Sequence, residues 1–160
     1  RQLMAARGTD GAIMKLKKVK AATLSGQALS WAVASATGLK PVMRRAFLLA
    51  HDVTHDVALE DGPYLASGDE SLHPLLRLSL LPDYPDSWDL LGPLLEEFEL
   101  NVIKVGANLW TAKTSGWVVD GDGDTTIISA DGPTPGVAIA RCVVCVKLGY
   151  EVEVPEELLP

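Results

Sequence analysis

Two cysteines stand three apart in Cys142-Val143-Val144-Cys145, and two histidines stand four apart at His51 and His55. Each pair has the spacing of half a tetrahedral zinc site, which takes four sulfur or nitrogen donors. His51-Asp52-Val53-Thr54-His55 lacks the glutamate that a helical zinc protease carries between its histidines. Cysteines inside an apolar helix are more often small core residues. A redox pair sits at a helix N-terminus, where the dipole favours thiolate, and this pair falls in the second half of its expected helix. Core packing is the expectation for both.

Asp120-Gly121-Asp122-Gly123-Asp124 sets three carboxylates at alternate positions, with Asp131 twelfth, as in a calcium loop. The sixth position is Thr125 where that loop needs glycine, and the last is aspartate where glutamate is usual. The loop therefore reads as a solvated hairpin turn. Asp120, Asp122 and Asp124 are the residues that would hold a metal if it took one. Trp117-Val118-Val119 and Thr125-Thr126-Ile127-Ile128 flank it as β-branched strands.

Three residues are candidates for ligand binding: Trp88, Thr134 and Arg141. Trp88 follows a turn-rich approach and precedes a Gly-Pro pair, a position suited to stacking on a planar ligand. Trp31 and Trp110 are expected to pack in the core. Thr134 stands in Gly132-Pro133-Thr134-Pro135, where a helix N-terminus offers N–H groups to an anion. Capping by Thr134 and the missing N–H of Pro135 both reduce that offer. Arg141 is the basic residue in the middle of an apolar helix. An ion pair with Glu96, Glu97, Asp86 or Asp89 is the plain reading, and a ligand phosphate the sharper one. No nucleophile-elbow, Walker or dinucleotide motif occurs. No catalytic residue and no cofactor is read, and the balance leans away from an enzyme.

The elements that must position these residues follow from local pattern. The chain has 160 residues, 48% of them hydrophobic, enough for one domain with its own core. Residues 1–13 read as leader material outside the fold, and 14–160 as a single α+β domain. Helices are expected at 26–37, 87–98 and 135–148. Pro93 suggests that the second begins in earnest only at Gly92. Lys15–Ala21 reads as a basic strand or arm, and 39–82 as one or two strands with a long loop. Strands are expected at 100–105 and 108–113. The whole is an antiparallel or mixed sheet of four to five strands, sandwich-like under its helices.

The last helix is apolar nearly all round, which asks for burial on several sides. A homo-oligomer is expected on that ground. The formal net charge of −7, from 14 basic and 21 acidic residues, repels a phosphate backbone and makes nucleic acid a poor partner. Lys15-Leu16-Lys17-Lys18-Val19-Lys20 is the one dense basic stretch. No apolar run is long enough for a membrane span, and two cysteines without a framework fit a reducing, cytoplasmic setting.

Three stretches carry a family resemblance: Leu24-Ser25-Gly26-Gln27-Ala28-Leu29-Ser30-Trp31-Ala32-Val33-Ala34, Tyr84-Pro85-Asp86-Ser87-Trp88 through Leu95, and Gly132-Pro133-Thr134-Pro135 through Gly149 to Pro155. Together they resemble the NinX-like family of tailed-phage proteins. The third is also similar to a wider phage group with an α-β-α sandwich. Residues 39–82 match poorly, and the resemblance carries over no catalytic residue. It implies a phage accessory protein in the host cytoplasm. From that context comes the expectation of a small anionic, nucleotide-like ligand sequestered between subunits near Trp88 and Arg141. An interaction module for a host or phage protein is the alternative, and an uncharacterised enzyme the third reading.

Overall fold

This computed structural model of the chain describes residues 14–44, 62–66, 68, 71, 78–120 and 122–160. Residues 1–13, expected to be leader material, and the histidine pair at 51 and 55 lie outside them. The fold is α+β, with three α-helices and short antiparallel strands. The strands are divided among two- and three-stranded sets and do not run in one sheet of four or five.

The centre of the molecule is helix α3, Pro135–Leu148. Local signals set its limits. The Val137 N–H donates to Thr134 Oγ1 at 3.2 Å. Pro135 opens the helix with φ already near the helical value. Gly149, at φ +93°, ends it and donates its N–H to the Cys145 carbonyl. Thr134 thus caps the helix as expected.

Strands β5 (Leu100–Gly106), β6 (Leu109–Thr114) and β9 (Ser129–Gly132) form an antiparallel sheet in the order β5-β6-β9. Alternation gives this sheet two faces. Leu100, Ala112, Thr114 and Ala130 are buried on the side that packs against α3. Helix α1 (Gly26–Ala36), helix α2 (Trp88–Glu97) and the 3-10 turn Tyr84–Asp86 cover other parts of the α3 surface. Strand β10, Glu151–Pro155, adds to the cover. Ala138, Ile139, Ala140, Cys142, Val143 and Val144 are fully buried in consequence. The apolar girth that called for a second subunit is therefore met inside the chain.

Strand β1, Leu16–Lys20, pairs antiparallel with β10. Lys18 lies opposite Glu153 and Lys20 opposite Glu151, while Val152 and Val154 turn inward. Lys18 Nζ also reaches Glu151 at 3.2 Å, an exposed pair of small energetic weight. Two lysines of the basic stretch thus lie beside glutamates of the acidic tail.

Strands β2 (Pro41–Arg44), β3 (Gly62–Ala66) and β4 (Leu78–Leu80) pair in order as an antiparallel set. The 39–82 region thus supplies three strands where one or two were expected. Helix α2 also departs from expectation, since it runs through Pro93 from Trp88. The proline removes the bond its N–H would have made to the Asp89 carbonyl. Both residues are exposed, so that carbonyl has access to solvent.

Candidate binding surface

Arg141 is committed to structure. Its Nε donates to the Leu24 carbonyl at 2.9 Å and its Nη1 to the Asp131 carbonyl at 2.8 Å. Burial pulls the guanidinium below its ordinary pKa, with Asp131 opposing the shift. The expected partners Glu96, Glu97, Asp86 and Asp89 do not hold it. A planar fork suits two carbonyls that approach from different elements. It ties α3 to the approach to α1 and to the end of β9. Backbone carbonyls carry no residue identity, so no sequence signal pointed to them.

The Cys142 and Cys145 thiols are buried and unbridged. Cys142 Sγ donates weakly to the Ile128 carbonyl at 3.8 Å. Burial, then Cys145, pushes the Cys142 thiol up to about 12, and burial pushes Cys145 up to about 11. Neither is a thiolate at neutral pH, the form that redox attack needs. The sign of the pH effect follows. Above the ordinary value near 9 the unfolded chain sheds protons that the folded state retains, so stability falls as pH rises. The limiting slope is about 1.4 kcal/mol per pH unit for each thiol. Urea midpoints between pH 8 and 10.5 should drop more steeply in the wild type than in a Cys142→Ala/Cys145→Ala variant. Parallel profiles would show the thiols to be uncoupled from folding.

The aspartate loop joins strands β7 (Val118–Val119) and β8 (Thr125–Thr126) in a hairpin. Asp120 Oδ1 accepts from the Asp122 and Asp124 N–H groups, both at 2.9 Å. One carboxylate is thereby spent on shaping the turn. Among the described residues, no group of three or more His, Cys, Asp or Glu is placed to hold a metal.

Two clefts stand beside these elements. The larger, about 520 Å³, is lined by Lys18, Lys20, Asp122, Leu148, Tyr150 and Glu151, among others. It mixes two cations with two carboxylates at the C-terminal end of α3, whose dipole disfavours an anion. The Tyr150 hydroxyl there is pushed up by burial first, then by Cys145, Asp120 and Asp122. The smaller, about 210 Å³, lies at the N-terminus of α1 between Gln27, Ser30 and Asp83. The Asp83 carboxyl is pushed up by burial and by Asp86. Trp88, Thr134 and Arg141 line neither cleft. Trp88 is exposed, Thr134 caps, and Arg141 clamps.

The feature that sequence reasoning missed is the outer side of the β-layer. On the β5–β6 face turned away from α3, Ile103 and Leu109 are exposed, and Val105 is exposed at the bulge between Lys104 and Gly106. In the β7–β8 hairpin, Trp117, Val119 and Ile127 alternate with the half-buried Val118 and Thr126. Their exposures are 71%, 64% and 47%. Strand β6 leads into β7 and β8 into β9, with Ser115 and Gly116 inserted on one side. The Thr114 N–H still donates to the Ile128 carbonyl across that step. The period-2 alternation of these residues was legible, but which side would stay open was not.

Comparison with protein-family models and with curated proteins finds no match for this chain. No helix among the described residues is long and apolar enough to cross a membrane.

Proposed function

We propose that this protein is a non-catalytic interaction module of the tailed-phage type its sequence resembles, and that it binds a host or phage protein in the cytoplasm. The observation that carries the reading is the exposed apolar face of the β7–β8 hairpin, made by Trp117, Val119 and Ile127. Large exposed side chains that neighbour one another on one hairpin mark an interaction surface more often than scattered ones do. Trp117 has the size and rigidity of an interface anchor. The three resembling stretches fold as α1, the turn with α2, and α3 with β10. They supply the core that holds this layer in place.

A pull-down from host lysate tests the reading. Trp117→Ser/Ile127→Ser should lose whatever wild type captures, with a thermal midpoint within about 2 °C of wild type. Undiminished capture by the variant would sink the proposal.

The small-ligand reading receives less support from the geometry. Arg141 is spent on carbonyls, and the larger cleft offers a phosphate two carboxylates with its two lysines. A thermal-shift screen with cyclic nucleotides and ADP-ribose derivatives should give no stabilisation. At a hundredfold excess over Kd, binding would stabilise by about 2.7 kcal/mol. A shift of that order would restore the sequestering function.

A further inference from the structure

We infer that the partner seated on the β7–β8 hairpin is a cationic, apolar segment, in which Lys or Arg stands within about four residues of a large apolar side chain. The inference rests on the proposed interaction surface and names its occupant.

The argument is one of charge at a fixed distance from the apolar face. Trp117, Val119 and Ile127 form that face, and Asp120, Asp122 and Asp124 crown its tip. Asp122 and Asp124 are exposed and form no ion pair among the described residues. Lys18 and Lys20 share the neighbouring cleft with Asp122. Lys18 is paired with Glu151, and both lysines lie opposite glutamates of β10 in the register. On the outer side of β6 and β9, Lys113 lies opposite Ser129, and Asp131 accepts a hydrogen bond from Thr111 Oγ1.

A strand rises about 3.3 Å per residue, so the carboxylates at the tip begin some 10 Å from Trp117. An extended segment covers that distance in about three residues. An apolar residue over Trp117 therefore places a cation at i+2 to i+4 beside the aspartates.

The same charges argue against other occupants. A second copy would bring the same three aspartates and a net charge of −7 to meet their like. An anionic lipid surface would repel the tip in the same way.

The test uses the full chain and two labelled ten-residue probes, one alternating leucine with lysine and one alternating leucine with glutamate. Fluorescence anisotropy should show binding of the lysine probe that weakens as salt rises. Trp117→Ser/Ile127→Ser and Asp122→Asn/Asp124→Asn should each reduce it tenfold or more, and the glutamate probe should not bind.

If the glutamate probe binds equally well and depends on Trp117, the surface is right and its cationic partner wrong. If the lysine probe binds and neither variant changes it, the contact is diffuse charge, and both this inference and the interaction surface fail at this hairpin. No binding of either probe overturns the inference. Sedimentation equilibrium showing a dimer lost in Trp117→Ser would assign the face to a second copy instead.

Discussion

Gly136→Ala should unfold this protein at a temperature roughly 2–12 °C below wild type, although alanine is the better helix former by about 1 kcal/mol. The reversal comes from packing. Gly136 lies in the first turn of α3, where the helix abuts the turn Tyr84–Asp86. A Cβ at this position would collide with the Pro85 carbonyl oxygen and crowd a methyl of Leu91. The obstacle is backbone, so it cannot rotate away. Either α3 or the turn must shift, and both belong to the core. Overpacking of this kind costs about 1–3 kcal/mol and sometimes more. Two to four degrees per kcal/mol is the scale for a chain of this size. Calorimetry of the purified variant gives the answer. A midpoint at or above that of wild type would mean that the helix and the turn are not in such close contact.

Arg141→Met should cost about 2–3 kcal/mol, on the scale of a buried group losing charged hydrogen-bond donors. The methionine stem fills much of the same volume. What it cannot do is satisfy the Leu24 and Asp131 carbonyls, which Nε and Nη1 now hold. The Leu24 end is the more enclosed, so most of the loss arises there. Arg141→Lys should recover less than half, because one ammonium does not span carbonyls on two elements. The bonds run to backbone and not to a carboxylate. The loss should therefore change little between low and high salt, unlike that of an ion pair. Urea unfolding at two ionic strengths, with unchanged m-values, measures this. A cost that vanishes in high salt would return Arg141 to an ion-pair role.

The resemblance-bearing stretches and the core coincide for a physical reason. Thr134, Pro135, Gly149 and the alternation of apolar turns act within a few residues, so α3 was legible from end to end. Helix α1 was legible on the same ground, since its alanines and leucine favour helix whatever surrounds them. Strand β9 was not legible, because Ser129-Ala130-Asp131-Gly132 has no β-branched residue. It is a strand because β6 pairs with it and Ala112 meets Ala130 beneath α3. Strand β10 left a trace in Val152 and Val154, but its partner lies at the far end of the chain. Loop closure over such a span leaves no local mark.

The same division separates the chemistry from the surface. By sequence alone the chain determined its α+β class, the helical turn that buries both cysteines, the cap at Thr134 and the hairpin at Asp120–Asp124. Each depends on neighbours three or four positions away. Only the tertiary structure decided that Arg141 serves two distant carbonyls, that Trp88, Thr134 and Arg141 line neither of the two clefts described above, and that Trp117, Val119 and Ile127 are exposed. An alternating strand has two sides, and its sequence does not say which one a helix will cover. Helix α3 covers the inner side here, and the apolar residues left on the other side are where a partner is to be sought.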